Sequence, residues 1–516
     1  MKRIAFLLVI IVMFILLSCN CRTLSPTLST PTSTISPSLP PGYQSTVTPV
    51  APPSISIHAS PFNISWDDCS LFKKRLTSSF QSVLSRLPGA SIYHLAFSLS
   101  NPPTLINGVE EVRYTNQENV ALTEVDFAIY SEILGGDINV GQVLLDGQPV
   151  TPDFSKGLMR IPLADELIPG NSIIFHIEFV ITVPALGGNF YYGIFGYNNG
   201  MLSLAQAYPT ILVYNEQGWN NQTPDLDGDP LFSDTSFYLV SINAPKDLTL
   251  VASGVAVNRQ ITTDRQQVLY ADGPARDFYL AAGHDFAKIS GKVGETTYNS
   301  FAPAGLSQFA QSALKIAEDA IGDFSHRYGP YPYTEFNIVP IVTSAAGVEF
   351  PGMTAVAENV YNAGNYLEVV LVHEVAHQWF YNLVGNETQL QPWLDESLAQ
   401  FVTCQYFLDQ YGTQAEQSCQ DEMQANWDRV DDQKIPIGKP VSDYTSGEYV
   451  SIIYGRGPLF FFTLRQEIGQ AAFDSLMHDY ATLFAWDIAS TDSFKKLAEQ
   501  HCKCDLTSLF NEWVYP

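Results

Sequence analysis

Two histidines in one short segment constrain this chain more than any other feature. His373 and His377 stand four residues apart within residues 371–380, LVHEVAHQWF, and residues at that spacing share one face of a helix. Both imidazoles can then bind the same metal ion, while Glu374 can hold a water molecule beside it. The alternative is a surface helix with two unrelated histidines. We predict a metal centre.

A catalytic zinc site needs a third protein ligand, because it leaves only the fourth position for water. Glu396 is the candidate, near the start of a second helical pattern that runs to about Leu408. We expect Gly385 to end the first helix, since glycine is favoured just after a helix C-terminus. Two antiparallel helices joined there would bring Glu396 back over the two histidines.

The HEVAH motif at residues 373–377, followed by Glu396 at the end of WLDE, resembles the gluzincin aminopeptidases of peptidase family M1. That family includes alanyl aminopeptidase and leukotriene A4 hydrolase. The resemblance implies one zinc ion per chain, bound by His373, His377 and Glu396, with Glu374 as the general base. It also implies a multidomain α+β fold, in which a saddle-like antiparallel β domain precedes a thermolysin-like, mainly helical catalytic domain.

Residues 346–351, AGVEFP, resemble the GAMEN exopeptidase motif of the same family. The resemblance implies that Gly347 and Glu349 bind the substrate, with the Glu349 carboxylate accepting the positive α-amine of a peptide. The sequence departs from the motif at Val348 and Phe350, where methionine and asparagine are usual. The alternative for Glu349 is an incidental acid in a loop.

Two further residues gain roles from the resemblance. Residues 447–457 resemble the YxKG segment of the family, which would make Tyr454 a hydrogen-bond donor to the oxyanion of the tetrahedral intermediate. Residues 203–207, SLAQA, resemble the segment that lines the substrate pocket, so Gln206 would contact the α-amine. For Gln206 the alternative is a polar residue at the end of a strand.

The N-terminal segment predicts export. Residues 1–18 contain Lys2 and Arg3 before an apolar run and read as a signal peptide of the lipoprotein type, with Cys19 as the lipidated residue. An uncleaved anchor is the alternative, and both versions attach the protein to a membrane outside the cytoplasm. Residues 19–60 are rich in serine, threonine and proline and read as an extended linker. We expect a bacterial envelope or extracellular lipoprotein.

The remaining chain divides into a β-rich region at residues 61–285 and a catalytic domain at 286–516. We predict a short leading helix over residues 67–87 and strands around residues 125–129 and 175–179, where apolar and polar residues alternate. By its resemblance to family M1, we expect the chain to lack the large C-terminal helical domain of many members.

Composition excludes some partners. The formal net charge of −27 argues against binding to nucleic acid or to an anionic membrane surface. Cys404 and Cys419 form a plausible disulfide, although pairing cannot be deduced from sequence. The acidic residues 225–229 predict a solvated turn rather than a calcium loop, because Ser236 occupies the position of the required bidentate acid.

Three functions are compatible with these features. The first is a zinc aminopeptidase acting on peptides with a free N-terminus. The second is a zinc endopeptidase or another M1-like hydrolase, and the third is a catalytically silent surface binding protein. The sequence does not determine the oligomeric state.

Overall fold

The computed structural model describes residues 60–185, 191–225 and 227–516. The predicted signal peptide, Cys19 and residues 19–59 of the predicted linker lie outside these residues, and their roles stay predictions.

Among the described residues up to 285, strands are the main regular structure. One four-residue helix, α1 (Tyr130–Ile133), interrupts them. The strands are β1 Ile92–Leu99, β2 Leu105–Thr115, β3 Leu122–Ala128, β4 Asp137–Leu145, β5 Gln148–Pro149, β6 Asp153–Ser155, β7 Leu158–Leu167, β8 Ser172–Thr182, β9 Phe195–Asn198, β10 Met201–Ala205, β11 Thr210–Ile211, β12 Tyr214–Asn215, β13 Gly218–Trp219, β14 Ser236–Pro245, β15 Thr249–Ala252, β16 Val255–Ile261, β17 Arg265–Ala275 and β18 Tyr279–Gly283.

These strands form one large sheet, two four-stranded sheets and a two-stranded sheet, β12-β13. The large sheet has the order β16-β17-β14-β1-β2-β8-β4-β5, and the four-stranded sheets have the orders β15-β18-β10-β9 and β11-β3-β7-β6. The predicted antiparallel arrangement holds with one exception, since β1 and β14 run parallel. Strand β8 shows the predicted alternation, because Phe175, Ile177 and Phe179 are buried whereas their neighbours are more exposed.

The prediction of a leading helix at residues 67–87 is wrong. This segment contains only the short 3-10 turns Phe72–Lys74 and Gln81–Ser85. Between them Arg75 is fully buried and donates from Nε to Asp272 Oδ1 at 2.7 Å. A buried charge must keep its partner because an unpaired one is costly. This long-range ion pair therefore outweighs the local helical preference.

The catalytic region contains a five-stranded sheet and most of the helices. Its strands are β19 Ala287–Val293, β20 Thr296–Ala302, β21 Glu335–Ile341, β22 Gly347–Phe350 and β23 Met353–Ala357. Its α-helices are α2 Ala310–Tyr328, α3 Asn365–Ala376, α4 Glu396–Tyr411, α5 Thr413–Trp427, α6 Ser446–Ser451, α7 Gly457–Ile468, α8 Gln470–Leu483, α9 Thr491–Cys502 and α10 Thr507–Trp513.

Strand β22 lies at the edge of this sheet, in the order β19-β20-β21-β23-β22. Among the described strands it pairs only with β23, antiparallel, which leaves its other edge available to a further strand. Helix α3 contacts both β22 and β23. This arrangement places the predicted substrate strand directly beside the helix of the two histidines.

Helix α3 ends earlier than predicted, at Ala376, and His377 is its C-cap residue. Gly385 lies outside the helix, in a bridge with Ile488. The intervening backbone is bound by Arg276 of the β-rich region, whose Nε donates to Tyr381 O at 2.7 Å. Tyr381 itself has a φ of +148°, outside the helical region, so the helix cannot run on to Gly385.

The described chain contains two disulfides, of which one was predicted. Cys404 and Cys419 form a disulfide between α4 and α5, as predicted. Cys502 and Cys504 form a second disulfide that the sequence analysis did not anticipate. Among the helices of the described residues, none is both long and apolar enough to cross a membrane.

Candidate metal centre and active site

Three side chains from two helices converge on one point. The Nε2 atoms of His373 and His377 lie 3.2 Å apart, and Glu396 Oε2 lies 3.2 Å from the first and 3.5 Å from the second. Helix α3 contributes the histidines and α4 contributes Glu396 at its first residue. The predicted ligand set is therefore assembled as the motif spacing required.

The donor set fits zinc. Around a tetrahedral zinc with ligands at about 2.0–2.1 Å, neighbouring ligand atoms lie about 3.3–3.4 Å apart, close to the separations found here. His377 Nδ1 is 3.0 Å from the carbonyl of Phe380, and donation to that carbonyl leaves the Nε2 lone pair for a metal. Two imidazoles and one carboxylate, with no thiolate, form the usual ligand set of a catalytic zinc.

The charge of Glu396 is maintained by its neighbours. Burial would raise its pKa, but hydrogen bonds and charges from His373 and His377 hold the pKa well below its usual value. Its backbone N–H donates to Asp395 Oδ1 at 2.6 Å, which also caps α4. Glu396 is therefore an ionised carboxylate in a fixed orientation, as a metal ligand must be.

Glu374 lies against the edge strand. It is 5% exposed, and its Oε2 atom has no hydrogen-bond partner within the described part of the chain. Burial raises the pKa of Glu374 to about 8, with His377 opposing and Glu396 adding to the shift. A Cβ atom on Gly347 would lie 2.5 Å from Glu374 Oε1, so a larger residue here would displace the Glu374 carboxylate.

Glu349 belongs to the same cluster. One of its carboxylate oxygens and the corresponding atoms of Glu374 and His377 all lie within 4.8 Å of one another. Gln378, next to His377, holds the strand in place, because its Nε2 donates to Phe350 O at 3.0 Å and its Oε1 accepts from Gly352 N at 2.8 Å. Helix α3 and strand β22 are thus fixed to each other.

Tyr454 lies in a single turn of π-helix, Ile452–Arg456. Its ring centroid is 6.1 Å from that of His373. Burial, the charge of Glu396 and a hydrogen bond to that carboxylate raise the pKa of Tyr454 well above its usual value, so its hydroxyl keeps its proton. Ser397, next to Glu396, donates to Ile453 O at 2.5 Å and ties α4 to this turn. Such π-turns are common at functional sites.

Gln206 lies immediately after β10 and is fully buried, with neither side-chain polar atom hydrogen-bonded in the described chain. Its connection to the site runs through Tyr279, which pairs with Ala205 and stacks on Phe350 at 3.7 Å. The structure thus places Gln206 near the substrate strand, while its contact with substrate stays a prediction.

One candidate was missed by sequence reasoning. The acidic turn at residues 225–229 is not simply solvated, because Asp229 is half-buried and its charge is among the causes that raise the pKa of Glu349. Burial raises the pKa of Asp229 itself to about 7. Alternating acids in a loop carry no signal of what the loop packs against, so only the fold reveals this proximity.

The sequence model of the peptidase family M1 domain matches residues 312–513. Residues 312–513 are a peptidase family M1 domain. This stretch includes all three candidate zinc ligands, Glu374, Glu349 and Tyr454, and the M1 resemblance stated from the sequence is confirmed.

Solved M1 structures share the fold. The chain superimposes on the M1 zinc metallopeptidase from Deinococcus radiodurans with a TM-score of 0.62 and 18% identity, covering 82% of this chain and 93% of that one. A mutant of that protein bound to a Tyr-Ser-Ala substrate gives a TM-score of 0.61, with the same identity and coverage. The predicted α+β class, a β-rich region followed by a mainly helical M1 domain, is confirmed.

The curated relatives match this chain over only part of their own length. Leukotriene A-4 hydrolase of Xenopus laevis is 24% identical over 288 residues, which are 52% of this chain and 46% of that protein. Aminopeptidase M1-B of Oryza sativa subsp. japonica is 23% identical over 305 residues, or 54% of this chain and 34% of that protein. The match spans less than half the length of either relative.

Proposed function

We propose that this protein is a zinc aminopeptidase that removes N-terminal residues from peptides. The observation that carries the proposal is the Glu349 carboxylate, which lies on an open edge strand within 4.8 Å of the ligand atom of His377 and of Glu374. A peptide that adds to the edge of β22 bonds through its backbone. Glu349 then accepts the α-ammonium group and limits binding to the first residue.

The zinc ligands would be His373, His377 and Glu396. When bound, zinc lowers the pKa of water to about 7 and polarises a carbonyl group. Glu374 accepts a proton from the attacking water and delivers it to the leaving amine. Burial raises the pKa of this carboxylate, which makes it a stronger proton acceptor than an exposed glutamate.

Tyr454 and Glu349 act on the two ends of the scissile residue. The Tyr454 hydroxyl, which keeps its proton because burial and Glu396 raise its pKa, donates to the developing oxyanion. Glu349 fixes the free amine, so the carbonyl of the first residue comes opposite Glu374. Hydrolysis then removes the first residue of the peptide.

One experiment tests this function. The soluble chain from residue 60 is assayed on one peptide set with free and with acetylated N-termini, each with and without a zinc chelator. We expect cleavage of the free set only, lost with chelator, and a decrease of about tenfold to a hundredfold in kcat/KM for Glu349→Gln, because an ammonium partner is removed. Glu358→Gln, on an exposed acid beyond β23, is the control.

Other outcomes would contradict the proposal. Equal cleavage of both sets would indicate a zinc endopeptidase. Zinc binding without cleavage of any peptide would support a silent binding protein instead.

Replacement of the tyrosine hydroxyl gives a separate prediction. Tyr454→Phe is expected to lower kcat by about 10²–10³-fold with little change in KM, because the lost donor acts on the oxyanion rather than on bound substrate. Steady-state kinetics on a free peptide measures both constants. Tyr411→Phe, on an exposed tyrosine of α4, should leave both unchanged, and an unaltered kcat for Tyr454→Phe would remove this residue from the mechanism.

A further inference from the structure

The π-helical turn that carries Tyr454 packs directly against helix α5. Gly455 follows the tyrosine, and a Cβ atom at this position would lie 2.7 Å from Trp427 N and 3.0 Å from Met423 O. Both are backbone atoms of α5, which cannot move aside as a flexible side chain can. A side chain at residue 455 would therefore push the turn away from α5.

Arg456, the last residue of the turn, connects it to more distant parts of the chain. The side chain is 3% exposed. It donates from Nη2 to Glu512 O at 2.7 Å and from Nη1 to Ile435 O. Its guanidinium carbon lies 5.0 Å from the ring centre of Trp513 and 5.5 Å from that of Trp427. One side chain therefore links the turn to α5, to α10 and to the segment between α5 and α6.

These contacts use the shape of the guanidinium group. Its planar fork can donate to two carbonyls while its faces lie against aromatic rings. Because the group is buried and always charged, breaking these bonds would leave a charge without partners, which is costly. A lysine at this position would have a single ammonium group on a flexible stem and could not make all of these contacts. The fork of Arg456 thus fixes one side of the turn.

Tyr454 lies within this turn, two residues before Arg456. Ser397 of α4 fixes the turn on another side, by donation to Ile453 O at 2.5 Å. A donor stabilises an oxyanion only within about 2.7–3.1 Å of it, and a misplacement of about 1 Å can lower the rate by about 10²-fold. Whatever holds the turn therefore determines whether the Tyr454 hydroxyl can act.

We propose that Arg456 is a positioning residue for Tyr454, and that helix α10 contributes to catalysis through it. The inference rests on the proposed function, in which the Tyr454 hydroxyl donates to the oxyanion. The fork of Arg456 is bound to carbonyls of the protein, so this residue acts through the tyrosine and not on the substrate. Its loss should lower kcat and leave KM nearly unchanged.

Replacing the fork by an apolar side chain tests this role. Arg456→Met keeps an unbranched stem between the two indole rings, and we expect kcat to fall by about tenfold to a hundredfold, with KM changed by less than about threefold. Arg465→Met is the matched control. Arg465 also lies against an aromatic ring, at 5.1 Å from that of Phe462, but it donates to Gln405 and Glu416 at 2.8 Å. This variant should keep both constants within about twofold of the native values.

A double-mutant cycle separates positioning from a general structural role. Tyr454→Phe has no hydroxyl to position, so the addition of Arg456→Met should lower its kcat by no more than about twofold. Trp513→Leu removes the indole ring of α10 from the guanidinium. It should lower kcat in the native chain and have little effect in Tyr454→Phe. Thermal unfolding of each variant sets an assay temperature at which all of them are folded.

Amide hydrogen exchange gives a readout that does not depend on turnover. Exchange in residues 452–457 should become faster in Arg456→Met and in Trp513→Leu, and should not change in Arg465→Met. If the native chain cleaves no peptide, or if Tyr454→Phe has a normal kcat, this exchange pattern still supports Arg456 as the residue that holds the turn. In that case only the proposed function fails.

Four results would overturn the proposal. The first is a normal kcat for Arg456→Met in a chain whose activity depends on Tyr454. The second is a loss of kcat in Arg456→Met that adds in full to that of Tyr454→Phe. The third is unchanged exchange of residues 452–457 in Arg456→Met. The fourth is a loss of bound zinc from Arg456→Met, because the residue would then support the metal centre and not the tyrosine.

Discussion

Replacing Glu374 by glutamine is expected to lower kcat by about 10²–10⁴-fold, the usual contribution of a general acid–base group. Glutamine has nearly the same volume, but its amide cannot accept the proton of the attacking water. The candidate zinc ligands His373, His377 and Glu396 are unchanged, so the variant should still bind one zinc ion per chain. Steady-state kinetics on free peptides and metal analysis of the purified protein measure the two effects separately.

The control for this variant lies on the same helix. Glu368 of α3 accepts hydrogen bonds from the hydroxyls of Tyr406 and Tyr411 of α4, and Glu368→Gln should leave kcat unchanged. A Glu374→Gln enzyme with normal kcat and bound zinc would show that another group accepts the proton.

Loss of a metal ligand is expected to have the largest effect of all. His377 is 1% exposed and provides one of three ligand atoms, so His377→Ala should abolish both stoichiometric zinc binding and hydrolysis. The native chain should lose stability on chelation, because a ligand present at a thousandfold excess over its Kd stabilises the folded state by about 4 kcal/mol. The variant should show no such dependence on zinc.

Thermal unfolding with and without chelator, combined with metal analysis, measures these differences. His326→Ala, on an exposed position of α2, is the control and should behave as the native chain does. Hydrolysis that survives in His377→Ala without zinc would exclude the metal centre as the site of chemistry. Return of activity when zinc is added to the chelated native chain would exclude simple unfolding.

The metal centre could be predicted from sequence because its geometry is largely local. Four-residue spacing on a helix fixes His373 and His377 relative to each other. The connecting segment, residues 378–395, then brings Glu396 back to the two histidines. The edge strand with Glu349 follows the same logic, since a short antiparallel pair lies just before the helix. The local spacing of such motifs determines their geometry. The resemblance to family M1 then supplies the roles of their residues.

The errors share a different cause. Helix formation at residues 67–87 and an extension of α3 to Gly385 were both reasonable from local preference. The first fails because the buried Arg75 binds Asp272, far away in sequence. The second fails because Tyr381, whose carbonyl Arg276 binds, has a φ of +148°, outside the helical region. The burial of Asp229 was missed for the same reason, since its turn is bound by the distant Gln389. Long-range polar contacts leave no periodic trace in a sequence.

The contacts of Arg276 have a consequence for how the two regions can be separated. Its guanidinium, 3% exposed, bonds to the carbonyls of Tyr381 and Leu383 just after the zinc histidines, and to that of Asp487. The neighbouring Asp277 accepts from the Tyr381 hydroxyl. The β-rich region therefore supports the backbone segment that directly follows the two histidines of the metal centre. A fragment that begins at residue 286 would keep every catalytic side chain and lose this support, so a chimera between relatives must take Arg276 and Asp277 from the same parent as the zinc motif.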